Sequence, residues 1–264
     1  MLIRKLKSIP GSLALFMLAM VSIAAAKQPG IFLFAPAAGN NPSDSLELAP
    51  PPICLNAEAE RYAKSYAKKA SYTLKIVSGR TKSFFPIMDK ILRKNDLPVE
   101  LKYLAVVESN LVSRSKSRVG AVGLWQLMPV TARTMGLKVT ASYDERTNTY
   151  KSTAAAARYL KVLNKMFDDW LLVIAAYNSG PGPVFKAIKR SGSRNFWKLQ
   201  QYLPLETRNH VKRYIAVHYY FEGRAGVTTQ TKAEMEEYNE VLDEFWASQK
   251  DTLVNEPIVA AVLE

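Results

Sequence analysis

The stretch 169–177, DWLLVIAAY, reads as a helix with apolar side chains all round it. Such a helix is stable in water only if other segments enclose it. The rest of the chain must supply them, and several segments carry one apolar face at helical spacing. They are residues 57–77 with Tyr62, Tyr66 and Ala70; a helix from near Ser83 with Phe85, Met88, Ile91 and Leu92; and PVELKYLAVV from Pro98. Next come a short helix from Pro129 to Met135 ended by Gly136, then 149–167 with Ala156, Tyr159, Leu160, Leu163 and Phe167. Pro183 is expected to open another helix, and 203–223 carries Val211, Tyr214, Ile215, His218 and Tyr219 on one stripe. Almost no alternating pattern occurs, so the fold class is mainly α.

The ends of the chain differ from this middle. Arg4, Lys5 and Lys7 precede an apolar run from Leu13 to Ala26 that finishes in three alanines, the pattern of a secretory signal over residues 1–26. An uncleaved membrane tether is the alternative, but the run is short for a span. Residues 27–56, rich in Pro, Ala and Gly and including Pro50-Pro51-Pro52, read as a poorly ordered linker. A helical extension over 57–83 leads into the domain at 84–226, and 227–264 forms an acidic helix and tail, with Met235, Tyr238, Leu242 and Phe245 expected to pack back on the domain. The lone Cys54 makes no internal disulfide, and with Pro52 and Ile53 before it, far past the apolar run, it does not read as a lipoprotein site; a buried or spare thiol is expected. Net charge is +13, or +10 once the three signal cations are set aside, which favours an anionic partner such as cell-wall polymer. No nucleic-acid recognition motif and no metal-ligand spacing is present, so neither nucleic acid nor a metal or other cofactor is expected.

One charge sits in the wrong place for a solvating residue. Leu101, Leu104, Ala105 and Glu108 fall at i, i+3, i+4 and i+7, so a carboxylate lies on the face meant for the core. A sheltered carboxyl is the kind of group that serves as a general acid near neutral pH. After it come a polar basic loop, Gly120 and Gly123, then Trp125 and Gln126 before Pro129. Glycines let backbone approach a ligand closely, and an aromatic and an amide can grip one. The loop residues Asp144, Glu145 and Arg146 read as groups that fix their loop.

Four motifs then occur in order: Glu108-Ser109, Gly123-Leu124-Trp125-Gln126, Ala176-Tyr177-Asn178 and Glu206-Thr207-Arg208-Asn209. In order and spacing they resemble the family 1 lytic transglycosylases of bacterial cell walls, over roughly 84–226. The resemblance implies a lysozyme-like (SLT) single catalytic domain, here behind an N-terminal helical extension. It implies an exported enzyme of the periplasm or envelope acting on peptidoglycan glycan strands. In that family one glutamic acid protonates the leaving oxygen of the bond between N-acetylmuramic acid and N-acetylglucosamine. It then takes the proton of the muramic acid's C6 hydroxyl, closing a 1,6-anhydro ring.

Carried over position by position, the resemblance makes Glu108 the catalytic acid and base. It makes Ser109, Ser117, Gln126, Tyr177 and Asn178 substrate-binding groups, with Tyr177 near the catalytic carboxyl. Trp125 is either a sugar platform or a packing residue, and Asn178 is also readable as a helix C-terminal residue in the left-handed conformation. Glu206 and Arg208 read as partners in structural pairs at a helix start. Where the family commonly has tyrosine this chain has His210, and no role carries over; His210 and His218 read as core or surface histidines. The rival readings are a hydrolytic muramidase, with Asp144, Glu145 or Glu206 holding the water, and a noncatalytic wall-binding protein.

Overall fold

A computed structural model describes residues 49–254, with side chains through 249. The expected signal sequence and the expected linker up to residue 48 lie outside the described residues, as does the end of the acidic tail. Ten α-helices and a few 3-10 turns make up this part, and among the described residues pairing between extended segments is limited to isolated bridges.

Helix α1 (Ala57–Lys69) starts at Asn56, whose side-chain oxygen accepts the Ala59 N–H at 3.0 Å. Glu58 and Glu60 in its first turn and Lys68 and Lys69 in its last suit the helix dipole. Ala70 alone separates it from α2 (Ser71–Lys94). The second helix expected near Ser83 is therefore part of a longer one. Buried Leu74, Val77, Met88, Ile91 and Leu92 keep one phase through Gly79 and through Pro86, whose side chain is exposed.

The all-apolar segment forms α6 (Trp170–Ser179), and Leu171 to Ala176 are each 0% exposed. Its wrapping is the one the sequence demands. On it pack α5 (Thr149–Phe167), α7 (Pro181–Ser191) and α9 (Leu205–Glu222). Helix α5 brings Ala155, Ala156 and Ala157, small enough for helix backbones to approach closely. Burying each leucine or isoleucine of this core contributes about 1.5–3 kcal/mol. Gly180, at φ +78°, ends α6, so α7 begins at Pro181, two residues before the proline expected to open it.

Helix α3 (Lys102–Ser109) packs between α2 and α9, the short α4 (Pro129–Thr134) borders α5, and α8 (Phe196–Leu199) lies beside α7. The first turn of α10 (Lys232–Val254) is tied down: its Lys232 N–H bonds Asp169 Oδ2 at 2.7 Å, and the Tyr238 hydroxyl donates to the Pro51 carbonyl at 2.9 Å. Farther along, Val241 and Trp246 are 46% and 48% exposed, while Leu242 and Phe245, on the face expected to pack, are half-buried. Gln230 donates to the Cys54 carbonyl at 3.0 Å, so the last residues of the expected linker lie bound along the domain; the Cys54 thiol is exposed, not buried. No helix among the described residues is long and apolar enough to cross a membrane.

Between α3 and α4 the chain makes a tight loop, 110–128, with Asn110, Leu111, Gly120, Gly123 and Gln126 in the left-handed region. Arg146, 5% exposed, staples it. One terminal nitrogen donates to the Gly120 carbonyl at 2.8 Å and the Leu127 carbonyl at 2.9 Å, while the remaining N–H groups grip Asp144 at 2.7–3.2 Å. The loop runs so close to this segment that a Cβ on Gly123 would meet the Arg146 carbonyl oxygen at 2.0 Å. Gly120 has a similar φ, +89° against +88°, but open space around it. Gly123→Ala is therefore expected to lose clearly more stability in urea denaturation than Gly120→Ala, which pays only roughly 1–3 kcal/mol for its dihedral. Equal losses would mean the close approach is not there.

Candidate active site

Glu108 ends the buried stripe of α3. Leu101, Leu104 and Ala105 are each 0% exposed, whereas the Glu108 side chain retains 14% exposure, so the carboxylate sits at the rim of the core with a path to solvent. The helix stops one residue later because Asn110 adopts a left-handed conformation, its N–H bonding the Val106 carbonyl at 2.8 Å. That turn sends the chain directly into the stapled loop.

The structure brings the expected residues to this corner but gives several of them different tasks. Ser109 is buried, and its hydroxyl points at the carbonyls of Ala105 (3.1 Å) and Leu124 (2.9 Å), so it ties loop to helix and is not offered to a substrate. Trp125 is 0% exposed and its indole N–H donates to Thr153 at 2.9 Å; a buried ring cannot be a sugar platform, and the packing alternative holds. Gln126 is half-buried at φ +44°, a conformation that costs energy in a residue with a side chain and flags a site held under strain. Its amide NH2 donates to the carbonyls of Ser115 (3.2 Å) and Gly123 (2.8 Å), which fixes the direction of its carbonyl oxygen. Ser117 accepts the Ala121 N–H at 2.9 Å and keeps a hydroxyl proton to donate.

From α6, Tyr177 donates its hydroxyl to the Trp125 carbonyl at 2.7 Å, not to Glu108. Burial first, then the nearby Glu108 charge, hold its phenol well above the usual value, so it stays a neutral donor that pins the loop. Asn178 lies inside α6, with the left-handed residue two positions on at Gly180, so the C-terminal reading does not apply. Its side-chain oxygen accepts from the Thr207 hydroxyl at 2.9 Å, which orients its NH2. Glu206 is exposed in the first turn of α9, and neither it nor Arg208 makes an ion pair among the described residues. Asp144 and Glu145 are engaged by Arg146 and Lys151 at 2.7 and 2.5 Å, fixing their loop as the sequence suggested.

Sequence reasoning passed over His210. It is a buried histidine, but its partner is the candidate acid: Nε2 lies 2.9 Å from Glu108 Oε1, with the His210 side chain 3% exposed. A signal was available, since Thr207, His210, Val211, Tyr214 and His218 share one stripe of α9, the helix that packs on α3. His218 is different: it lies edge-on to Tyr103 at 5.5 Å, and burial pushes its pKa down to about 4, so it is a neutral core group. A recess of about 460 Å³ beneath residues 49–53, walled by Glu100, His218, Glu222 and Tyr238, includes none of the motif residues.

Comparison with known proteins points to the same stretch. The family model described as the transglycosylase SLT domain matches residues 85–200. The chain is 42% identical over 159 residues, 58% of its length, to membrane-bound lytic murein transglycosylase D of Escherichia coli strain K12, covering 34% of that protein. It is 39% identical over 84 residues to peptidoglycan transglycosylase gp16 of Escherichia phage T7, covering 31% of this chain and 6% of the phage protein. The chain thus spans about a third of the length of the first of these relatives. Among solved structures, the soluble lytic transglycosylase SLT70 of Escherichia coli shares the fold, with a TM-score of 0.50 over 67% of this chain and 32% of that one at 24% identity. The mainly helical, lysozyme-like architecture is therefore the one found, and the four motif segments meet at a single corner of it. Over residues 85–200 the chain is similar to the transglycosylase SLT domain.

Proposed function

We propose that this chain is a lytic murein transglycosylase of the cell envelope, cutting the β-1,4 bond between N-acetylmuramic acid and N-acetylglucosamine in peptidoglycan with Glu108 as both acid and base. The observation that carries the reading is the isolation of Glu108. It is a sheltered carboxylate at the meeting point of four motif segments, and the other acids considered for the reaction, Asp144 and Glu145, are held in ion pairs while Glu206 faces solvent.

A glycosidase that uses water or a covalent intermediate needs a second carboxylate across the bond. With one carboxylate, the economical nucleophile is a hydroxyl already on the substrate. An intramolecular attack by the C6 hydroxyl has a large effective molarity, and no water need be positioned. Glu108 would protonate the glycosidic oxygen as the C1–O bond breaks and then accept the C6 hydroxyl proton as the ring closes, so no proton is gained or lost overall. The Gln126 carbonyl, the Ser117 hydroxyl and the Asn178 NH2 are the groups left to orient the sugar and its N-acetyl arm. The basic balance of the chain, +13, favours approach to an anionic wall polymer. The membrane-bound description belongs to the relative; for this chain, export rests on the N-terminal signal pattern.

Digestion of purified peptidoglycan followed by mass analysis of the released muropeptides tests the chemistry. Products lighter by one water than their hydrolytic counterparts are expected. Reducing ends in their place would overturn ring closure and favour the muramidase. Glu108→Gln is expected to lower release by at least about 100-fold while leaving wall binding intact. Equal release by wild type and variant would leave a wall-binding protein without this catalysis.

A further inference from the structure

The contact between Glu108 and His210 carries more than proximity, because the rest of the imidazole ring is constrained. Nε2 is 2.9 Å from Glu108 Oε1, and Nδ1 is buried with no hydrogen-bond partner. Which nitrogen bears a proton follows from what each would face. A proton on Nδ1 would be a buried donor without an acceptor, whether the ring were neutral or an imidazolium, and leaving such a donor unmet is the costlier arrangement. A bare Nδ1 leaves an unmet acceptor, which buried sites tolerate more often than an unmet donor. The arrangement that leaves no buried donor unmet puts the ring proton on Nε2, with that N–H donating to Oε1.

We propose that His210 is a positioning residue that assigns both proton transfers to one atom of Glu108, Oε2. This rests on the reading of Glu108 as the acid. The carbonyl oxygen of a carboxylic acid is a better acceptor than its hydroxyl oxygen, so an N–H held at Oε1 favours Oε1 as the carbonyl oxygen and Oε2 as the bearer of the acid proton. No protein group among the described residues bonds Oε2. The proton passes from Oε2 to the glycosidic oxygen as the C1–O bond breaks. The resulting carboxylate keeps the Nε2–H bond at Oε1, now charge-assisted and stronger. When the C6 oxygen bonds C1, its proton returns to Oε2. His210 holds the same proton from start to finish, and the ring, fixed between α3 and α9, prevents the carboxylate from rotating between steps.

The role is separable from simple filling of space. Glutamine places its amide N–H near the position of Nε2, asparagine places one nearer Nδ1, and phenylalanine fills the volume with no donor. With folding checked by thermal melting, His210→Phe and His210→Asn are expected to lose about 100-fold in kcat with little change in KM, the scale of a displaced catalytic group. His210→Gln is expected to recover most of that loss. Nitrogen-15 NMR of histidine-labelled wild type at the pH of activity is expected to show His210 protonated at Nε2 and bare at Nδ1. An Nδ1–H tautomer, an imidazolium, or equal activity of the Phe, Asn and Gln variants would overturn the proposal. Failure of the underlying reading would show separately, as absence of anhydro products from wild type.

Discussion

Arg146 is a cation with almost no access to water, placed where the chain returns past its own loop. Its charge is neutralised by Asp144 through a two-pronged contact, and its remaining hydrogens reach across to the carbonyls of Gly120 and Leu127. Backbone bonds cross the loop, among them Val122 N–H to the Leu127 carbonyl and Gly123 N–H to the Ser115 carbonyl, and the guanidinium adds a further donor to the Gly120 and Leu127 carbonyls. Gly123 answers the same demand from the other side, since only a residue without a Cβ can lie against the Arg146 backbone. The guanidinium thereby ties Gly120, in the middle of the loop, to Leu127 near its end.

From that staple outward, the site divides into residues that hold and residues that are held. Trp125, Ser109 and Tyr177 spend their polar atoms on Thr153, Leu124 and the Trp125 carbonyl respectively, which fastens the loop to α5, α3 and α6. Gln126, Ser117 and Asn178 each keep one polar function that no protein group among the described residues takes up. Aromatic, hydroxyl and amide groups that look alike in a motif therefore fall into two classes, and burial separates them.

Much of this was legible in the sequence, for physical reasons that also mark its limits. An all-apolar helix forces an enclosing bundle, and a carboxylate on an apolar stripe stands out against its neighbours, so α6 and Glu108 were readable. Helix ends were readable where chemistry fixes them, as at Gly136, and not where one phase continues, as through Pro86 in α2. Contacts between distant segments were not legible: nothing local to His210 announces that α9 will lay it against Glu108, and nothing local to Trp125 says whether its indole will face sugar or Thr153. Those outcomes depend on how helices cross, which periodicity constrains only to a face.

The account stands on the loop's being fastened by Arg146 from outside and not by its own local preferences. Hydrogen exchange on Arg146→Met, compared with wild type, examines that claim at the residues concerned. The account predicts that the N–H groups of Val122, Gly123 and Leu127, which bond across the loop at 2.9–3.2 Å, lose protection while those of α5 and α6 keep theirs. Unchanged protection across 115–127 would contradict it, showing that the loop holds its shape without the guanidinium.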